Sequence, residues 1–422
     1  MSEGFICRNS GDGYATINFN TYTGVVHGSL TSSSKVLTEG RASLAATSVG
    51  DYALFGGGYS VVNSDLVCFD VVDAYNTNLT RTTPTALSVG RRRLAATNVG
   101  DYALFAGGDS SNGAYNSTVD AYNTSLVRTT PTSLSEAKIS LAATSVGDYA
   151  LFGGGYAGSS YSSTVDAYNT SLTRTTPTSL SESRYFLAAT RVEGDKSRGK
   201  DYALFGGGLN NSASNTVDSY NASLTRTTPT SLSESRYYLS ASSVRTYYST
   251  LSPSGVFYSE YYAIFAGGRN STGYSSTVDA YNVSLTRSTP SNLSGAREFL
   301  ATSRTSGYAF FGGGRNSSGY LSVVDLYDES FLRYSAPNFI ESKGDLAATN
   351  IGYYVLFGGG LNSTEYSSTV EHYTVDNIFQ VFPETKYKFS GMSSEQTSSS
   401  IKTVTVKPPI SGYIKVKNIN IS

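Results

Sequence analysis

The chain has 422 residues, 39% of them hydrophobic and 15% charged, with a formal net charge of −1. That composition can build a packed core and excludes a largely disordered chain, and it lacks the basic surplus that a general nucleic-acid binder needs for counterion release. No run of apolar residues is long enough for a transmembrane helix, so no membrane insertion is expected; the only cysteines, Cys7 and Cys68, exclude a disulfide framework and, without paired histidines beside them, a zinc site.

The chain opens with MSEGFICRNSGDG, which has neither a basic stretch nor an apolar run after it, and so does not read as a secretory signal. Within residues 13–34, FNTYTGVVHGSL echoes a unit that recurs further on, DAYNTSLTRTTP. Residues 1–39 are therefore expected to form a β segment that helps close a ring or docks the chain elsewhere.

From residue 40 to 384 the chain repeats itself at a spacing of about 46 residues. One half of the unit is LAATSVGDYALFGGG, from Leu44 to Gly58, with further copies starting at Leu94, Leu141, Leu187, Leu239, Leu300 and Leu346. The other half is VVDAYNTNLTRTTPTAL from Val71, with copies from Thr118, Thr164, Thr216, Thr277, Val323 and Thr369. Each half reads as two short strands. LAATSV is small and apolar, and DYALF is a buried strand ended by Gly-Gly, where the chain can turn with positive φ. STVDAY alternates with period two, and LTRTTPT is Thr-rich and stops at Pro, as an edge strand does. No helical periodicity occurs. Four antiparallel strands per repeat, seven times over, predict an all-β, seven-bladed β-propeller with short β extensions at both ends. The N-terminal echo leaves eight outer pairs against seven inner ones. Either residues 13–34 help to close a seven-bladed ring, or an eighth blade takes its inner strands from the C-terminal tail, residues 385–422; seven blades are preferred.

Two insertions follow the first strand of a repeat: RVEGDKSRGK, residues 191–200, and RTYYSTLSPSGVFYSE, residues 245–260. Antiparallel order sends both to one face. The loops after Gly-Gly and the links between blades share the opposite face.

The apolar strand ending in Gly-Gly, followed about 18 residues later by Tyr75, Tyr122 or Tyr168, resembles the kelch repeat. Kelch units usually carry a Trp soon after that Tyr, and this chain has none; Arg81, Arg128, Arg174, Arg226, Arg287 and Arg333 stand at or beside its place. Asp73, Asp120, Asp166, Asp218, Asp279, Asp325 and Glu371 on the preceding strand are the expected partners of a structural ring of ion pairs. The near-identity of the repeats resembles kelch-like arrays of gut bacteria and their phages.

Function is expected where the repeats differ. Their strands barely change, while the loops after Gly-Gly vary freely in Tyr, Ser, Asn and Gly, the residues that recognition loops favour. Tyr115, Tyr161, Tyr274, Tyr320 and Tyr366 in these loops are not turn formers and are candidate ligand contacts. Three residues before each first-strand Leu stands a base: Arg41, Arg91, Lys138, Arg184, Arg236, Arg297 and Lys343. The kelch likeness implies that residues at this place line the mouth of the central channel, where seven cations would draw an acidic ligand. The competing reading, which is preferred, is that these bases make structural salt bridges, since Glu39, Glu136, Glu182, Glu234 and Glu341 lie two residues earlier and would neutralise much of the charge. Tyr185, Phe186, Tyr237, Tyr238 and Phe299 follow the bases, and an exposed ring there, Tyr237 above all, would stack on a sugar.

Catalysis is not expected. A copper radical oxidase built on this fold needs two His with a Tyr-Cys pair, and only His27 and His372 are present. Nor is a His–carboxylate–nucleophile set apparent. No cofactor or metal is expected. Asn123, Asn169, Asn221, Asn270, Asn316 and Asn362 begin Asn-x-Ser/Thr triplets but are read as turn residues. The leading expectation is an adhesin or a phage receptor-binding or tail-associated protein that recognises a surface glycan or protein receptor, with its termini docking to a virion or to other copies. The alternative is an intracellular scaffold, and a propeller enzyme acting on a sugar stands third. Location follows from the same choice: virion or extracellular if phage-derived, otherwise cytoplasmic.

Overall fold

The computed structural model describes residues 3–8, 14–19, 21–29, 36–194, 200–248, 258–305, 307–381 and 402–405, and the side chains of 36–194, 200–245, 261–305 and 307–374. The repeats fold as a seven-bladed β-propeller of four-stranded antiparallel sheets. The first blade runs Ala45–Val49, Tyr52–Gly56, Val72–Asn76 and Arg81–Thr82, in sheet order equal to chain order. Its register sets Ala45 opposite Gly56, Ala53 opposite Tyr75 and Ala74 opposite Thr82. The first strands of the next six blades begin at Ala95, Ala142, Ala188, Ser240, Ala301 and Ala347.

The local sequence explains this plan. The first strand alternates buried and half-buried residues, and the second is buried on both sides because each blade is sandwiched by two others. Packing between blades is a knob-and-gap fit. A Cβ on Gly206 would come within 2.7 Å of the Phe265 ring of the next blade. Ala106 and Ala266 take the same place in the second and fifth blades, so the position is kept small for the aromatic knob. The next glycine of that turn, Gly207, sits at φ 67°, and a Cβ on it would meet the Arg236 carbonyl at 2.6 Å. Hydrophobic clusters accordingly join adjacent blades: Leu104 and Val119 of the second pack with Phe152 and Tyr168 of the third. The circle closes in the same way, with Phe55 and Tyr75 of the first blade against Ile351 and Leu356 of the seventh. The first strands of these two blades also lie side by side.

The seventh sheet draws a strand from the other end of the chain. Its strand order is Ala347–Ile351, Tyr354–Gly358, Val370–Val381, Thr21–Ser29. A strand from the N-terminal side of the chain thus lies beside Val370–Val381, and Lys402–Thr405 pairs with that same strand.

Packing divides the chain into two units, one of residues 28–247 and 259–373 and one of residues 1–27, 248–258 and 374–422. In the second, Glu3–Arg8 pairs antiparallel with Tyr14–Phe19. Lys402–Thr405 pairs with Ile378–Val381, and the rest of the C-terminal tail lies outside the described residues. So do the centres of both insertions. The flanks of the longer one extend the first two strands of the fifth blade, Ser240–Tyr248 and Tyr258–Ala266. Cys68 is a free thiol. Among the described residues no helix is long and apolar enough to cross a membrane.

Candidate functional site

The face formed by the loops after Gly-Gly and the links between blades carries the candidate residues. The structure decides between the two readings of the seven bases. Arg41, Arg91, Lys138, Arg184, Arg236, Arg297 and Lys343 do not line the channel mouth; all seven are 0–1% exposed. Each turns inward to the carboxylate on the third strand of its own blade. The distances are 2.8 Å for Arg41–Asp73, 2.8 Å for Arg91–Asp120 and 3.7 Å for Lys138–Asp166. They are 2.7 Å for Arg184–Asp218, 2.6 Å for Arg236–Asp279, 2.8 Å for Arg297–Asp325 and 3.3 Å for Lys343–Glu371.

The outer-strand arginines reach the same carboxylates, as the sequence predicts, for example Arg226–Asp218 and Arg287–Asp279 at 2.9 Å. The link between blades adds neutral donors. The Ser181 amide and hydroxyl both donate to Asp218 at 3.1 Å. Burial pulls the pKa of Arg41, Arg91, Arg236 and Lys138 down, against the opposing pull of the partner carboxylates. Fully enclosed cations cannot touch a ligand, and they serve instead to pin each link to its blade. Glu136, Glu182, Glu234 and Glu341, two residues earlier, are spent in the same way. Burial raises Glu182, but hydrogen bonds from Ser214 and Thr216 and the charge of Arg184 outweigh it and hold the carboxyl low.

What surrounds the axis is the residue two places after each base: Ser43, Arg93, Ser140, Phe186, Tyr238, Phe299 and Asp345. All seven hold left-handed backbone, with φ from 51° at Ser43 to 57° at Asp345. Their main chains form a closed circle of hydrogen bonds. Arg93 N donates to Ser43 O at 3.0 Å, Ser140 N to Arg93 O at 2.9 Å, and Phe186 N to Ser140 O at 3.1 Å. Tyr238 N then donates to Phe186 O at 3.1 Å, Phe299 N to Tyr238 O at 3.4 Å, Asp345 N to Phe299 O at 3.0 Å, and Ser43 N to Asp345 O at 3.0 Å. Left-handed backbone at a non-glycine residue costs on the order of 1–3 kcal/mol, so this collar is held by its neighbours and not by local preference.

The collar is chemically lopsided. On one side its rings lean on each other: Tyr185–Phe186 at 4.1 Å between centroids, Phe186–Tyr238 at 4.0 Å and Tyr238–Phe299 at 4.1 Å. The Arg315 guanidinium caps the row, 4.8 Å from the centre of Phe299. Tilted against each other in this way, Phe186, Tyr238 and Phe299 spend much of their surface on one another, which leaves little of them for a sugar. Farther out, Tyr161 stacks on Tyr185 at 5.3 Å, Tyr156 meets Tyr161 at 5.7 Å and Tyr115 meets Tyr156 at 6.1 Å. Tyr237 rests on Tyr238 at 5.0 Å, and Arg269 lies 5.1 Å over Tyr274. Tyr115, Tyr161, Tyr237, Tyr274, Tyr320 and Tyr366 are all half-buried, so each offers part of its ring to solvent.

On the other side the collar is small and polar. The Ser43 hydroxyl donates to the Asp345 carboxylate. Tyr59 and Tyr366 meet edge to face at 5.3 Å, and Tyr320 closes in where a Cβ on Gly344 would stand 3.2 Å from its ring. Burial pushes the Tyr59 phenol up to about 12, with help from Asp345 and Tyr366. Burial likewise raises the Asp345 carboxyl to about 6; the bond from Ser43 and the charges of Arg315, Arg92 and Arg93 offset only part of it. Those arginines are themselves engaged. Arg92 and Arg93 reach Asp109 at 3.2 and 2.7 Å, and Arg315 reaches Glu298 at 3.0 Å.

Sequence reasoning thus singled out the hairpin tyrosines, which the structure shows as half-buried rings. It missed Asp345, Ser43, Tyr59 and Tyr156, although a column-by-column comparison of the repeats would have picked out Asp345 as the one carboxylate among Ser, Arg, Ser, Phe, Tyr and Phe. No protein-family model matches the chain, and no curated protein matches it. The propeller therefore rests on its own strand pairing and blade packing.

Proposed function

We propose that this chain is a kelch-like, non-catalytic binding protein, an adhesin or a phage receptor-binding or tail-associated protein that recognises a surface glycan or protein receptor through its Tyr-rich face. The observation that carries the reading is the contrast within one chain between near-identical strands and varied hairpins that gather half-exposed tyrosines on a single face. Tyr is suited to this work: it presents a large amphipathic area and has few rotamers to freeze. A rigid scaffold beneath variable loops is the usual arrangement for recognition.

The test is attachment of the purified protein to host cells and to a glycan array. The triple variant Tyr156→Ala, Tyr161→Ala, Tyr185→Ala is expected to lose about tenfold or more in affinity, since aromatic anchors dominate interface energies. Equal binding by the variant, with an unchanged melting temperature, removes this face from consideration.

A further inference from the structure

The polar side of the collar is more specific than the aromatic side. We infer that the niche around Asp345, between the Tyr59–Tyr366 pair and Tyr320, holds one uncharged hexose, whose hydroxyls donate to the Asp345 carboxylate. The inference rests on the face being a recognition surface and names the chemistry of its central contact.

Four observations converge on it. Asp345 is half-buried, and among the described residues its carboxylate receives a hydrogen bond only from Ser43. An ionised carboxylate so placed is under-supplied with donors, which is why burial moves its titration upward. Donors from a ligand would relieve that. The cations beside it are already engaged, Arg92 and Arg93 by Asp109 and Arg269 and Arg315 by Glu298. The group left for a ligand is a carboxylate, which accepts from hydroxyl donors and repels an acidic sugar. Finally, Tyr59, Tyr320 and Tyr366 are half-buried rings around one acceptor, the pairing of aromatic surface with a carboxylate that suits the C–H face and the hydroxyl edge of a pyranose. Gly344 and Asp345 stand where two other blades carry Tyr237–Tyr238 and Glu298–Phe299, and the absent side chain of Gly344 lets the Tyr320 ring approach the backbone beside Asp345.

The experiment titrates the full chain with methyl α-glucoside, methyl α-mannoside and methyl β-galactoside, and with N-acetylneuraminic acid as the charged comparison, by calorimetry at neutral pH. At least one neutral glycoside is expected to bind. Asp345→Ala should weaken it about tenfold or more, the loss of a hydrogen bond to a charged group, and Tyr366→Ala should weaken it as well. Should Asp345→Ala fail to fold, Asp345→Asn keeps the shape and removes the charge, and the same loss is expected. Unchanged affinity in the folded Asp345 variants, or preference for N-acetylneuraminic acid, overturns the assignment. If no glycoside binds while the chain still attaches to host cells through Tyr156, Tyr161 and Tyr185, the niche is wrong and the recognition face stands. If neither binding occurs, both fall.

Discussion

Asp345 illustrates how a single side chain can work against its own fold. Its carboxyl is raised to about 6 from an ordinary value near 3.8, with burial as the main cause. A carboxyl raised in this way favours folding below its ordinary value, and that contribution is lost as pH rises through about 6. At pH 8 the ionised group is therefore a burden. Asp345→Asn is predicted to raise the melting temperature at pH 8, with the gain fading toward pH 4. Thermal unfolding across that range checks the sign, and a difference that does not change with pH would remove Asp345 as its source. A charge retained at such a cost belongs to binding more naturally than to stability. Tyr59, held nearby with its phenol pushed up to about 12, stays neutral throughout this range.

At the scale of the element, the link between blades is the part that sequence alone leaves open. Its base reads either as a ligand contact or as a salt-bridge partner, and it is the anchor of a four-part lock. In the fourth blade Arg184 pairs with Asp218, Arg226 joins from the outer strand, Ser181 donates twice, and the Tyr220 hydroxyl donates to Thr178 O at 2.7 Å. Removing one member of a fully buried pair leaves the other charge uncompensated, so Asp218→Ala is predicted to cost about 3–5 kcal/mol. Replacing both partners, Arg184→Met with Asp218→Ala, should recover part of that loss in denaturant unfolding. If the double variant is no better than the single, the buried charge is not what destabilises it. The turn between third and fourth strands carries a related lesson. Leu172 and Leu224 sit at φ 60° and 59°, where Gly or Asn would be expected, because their side chains pack against the core between blades. Asn169 and Asn221 complete those turns by accepting amide hydrogens, the role read for them from sequence.

For the whole molecule the important fact is that the last sheet takes an outer strand, Thr21–Ser29, from the N-terminal side. An outer strand supplied in this way covers an edge that would otherwise present unpaired backbone groups. Removal of residues 1–29 is predicted to lower the melting temperature and to promote self-association that grows with protein concentration. Light scattering and calorimetry of the truncated chain test this, and a monomer of unchanged stability would show that the edge needs no cover.

Seven copies of two half-units, period-two alternation and Gly-Gly stops were enough to read the blade and its four strands, because these are local patterns repeated until chance is excluded. The ion pairs between third-strand carboxylates and outer-strand arginines were legible for the same reason, since both members recur at fixed spacing. The direction of the seven bases was not, because whether a base points to solvent or back beneath its own blade depends on the path of the link between sheets. The collar was hidden for a deeper reason. Ser43 and Asp345 are 302 residues apart in the chain and become neighbours only when the seventh blade packs against the first. Sequence determined the blade; closure of the ring decided which of its residues meet at the axis.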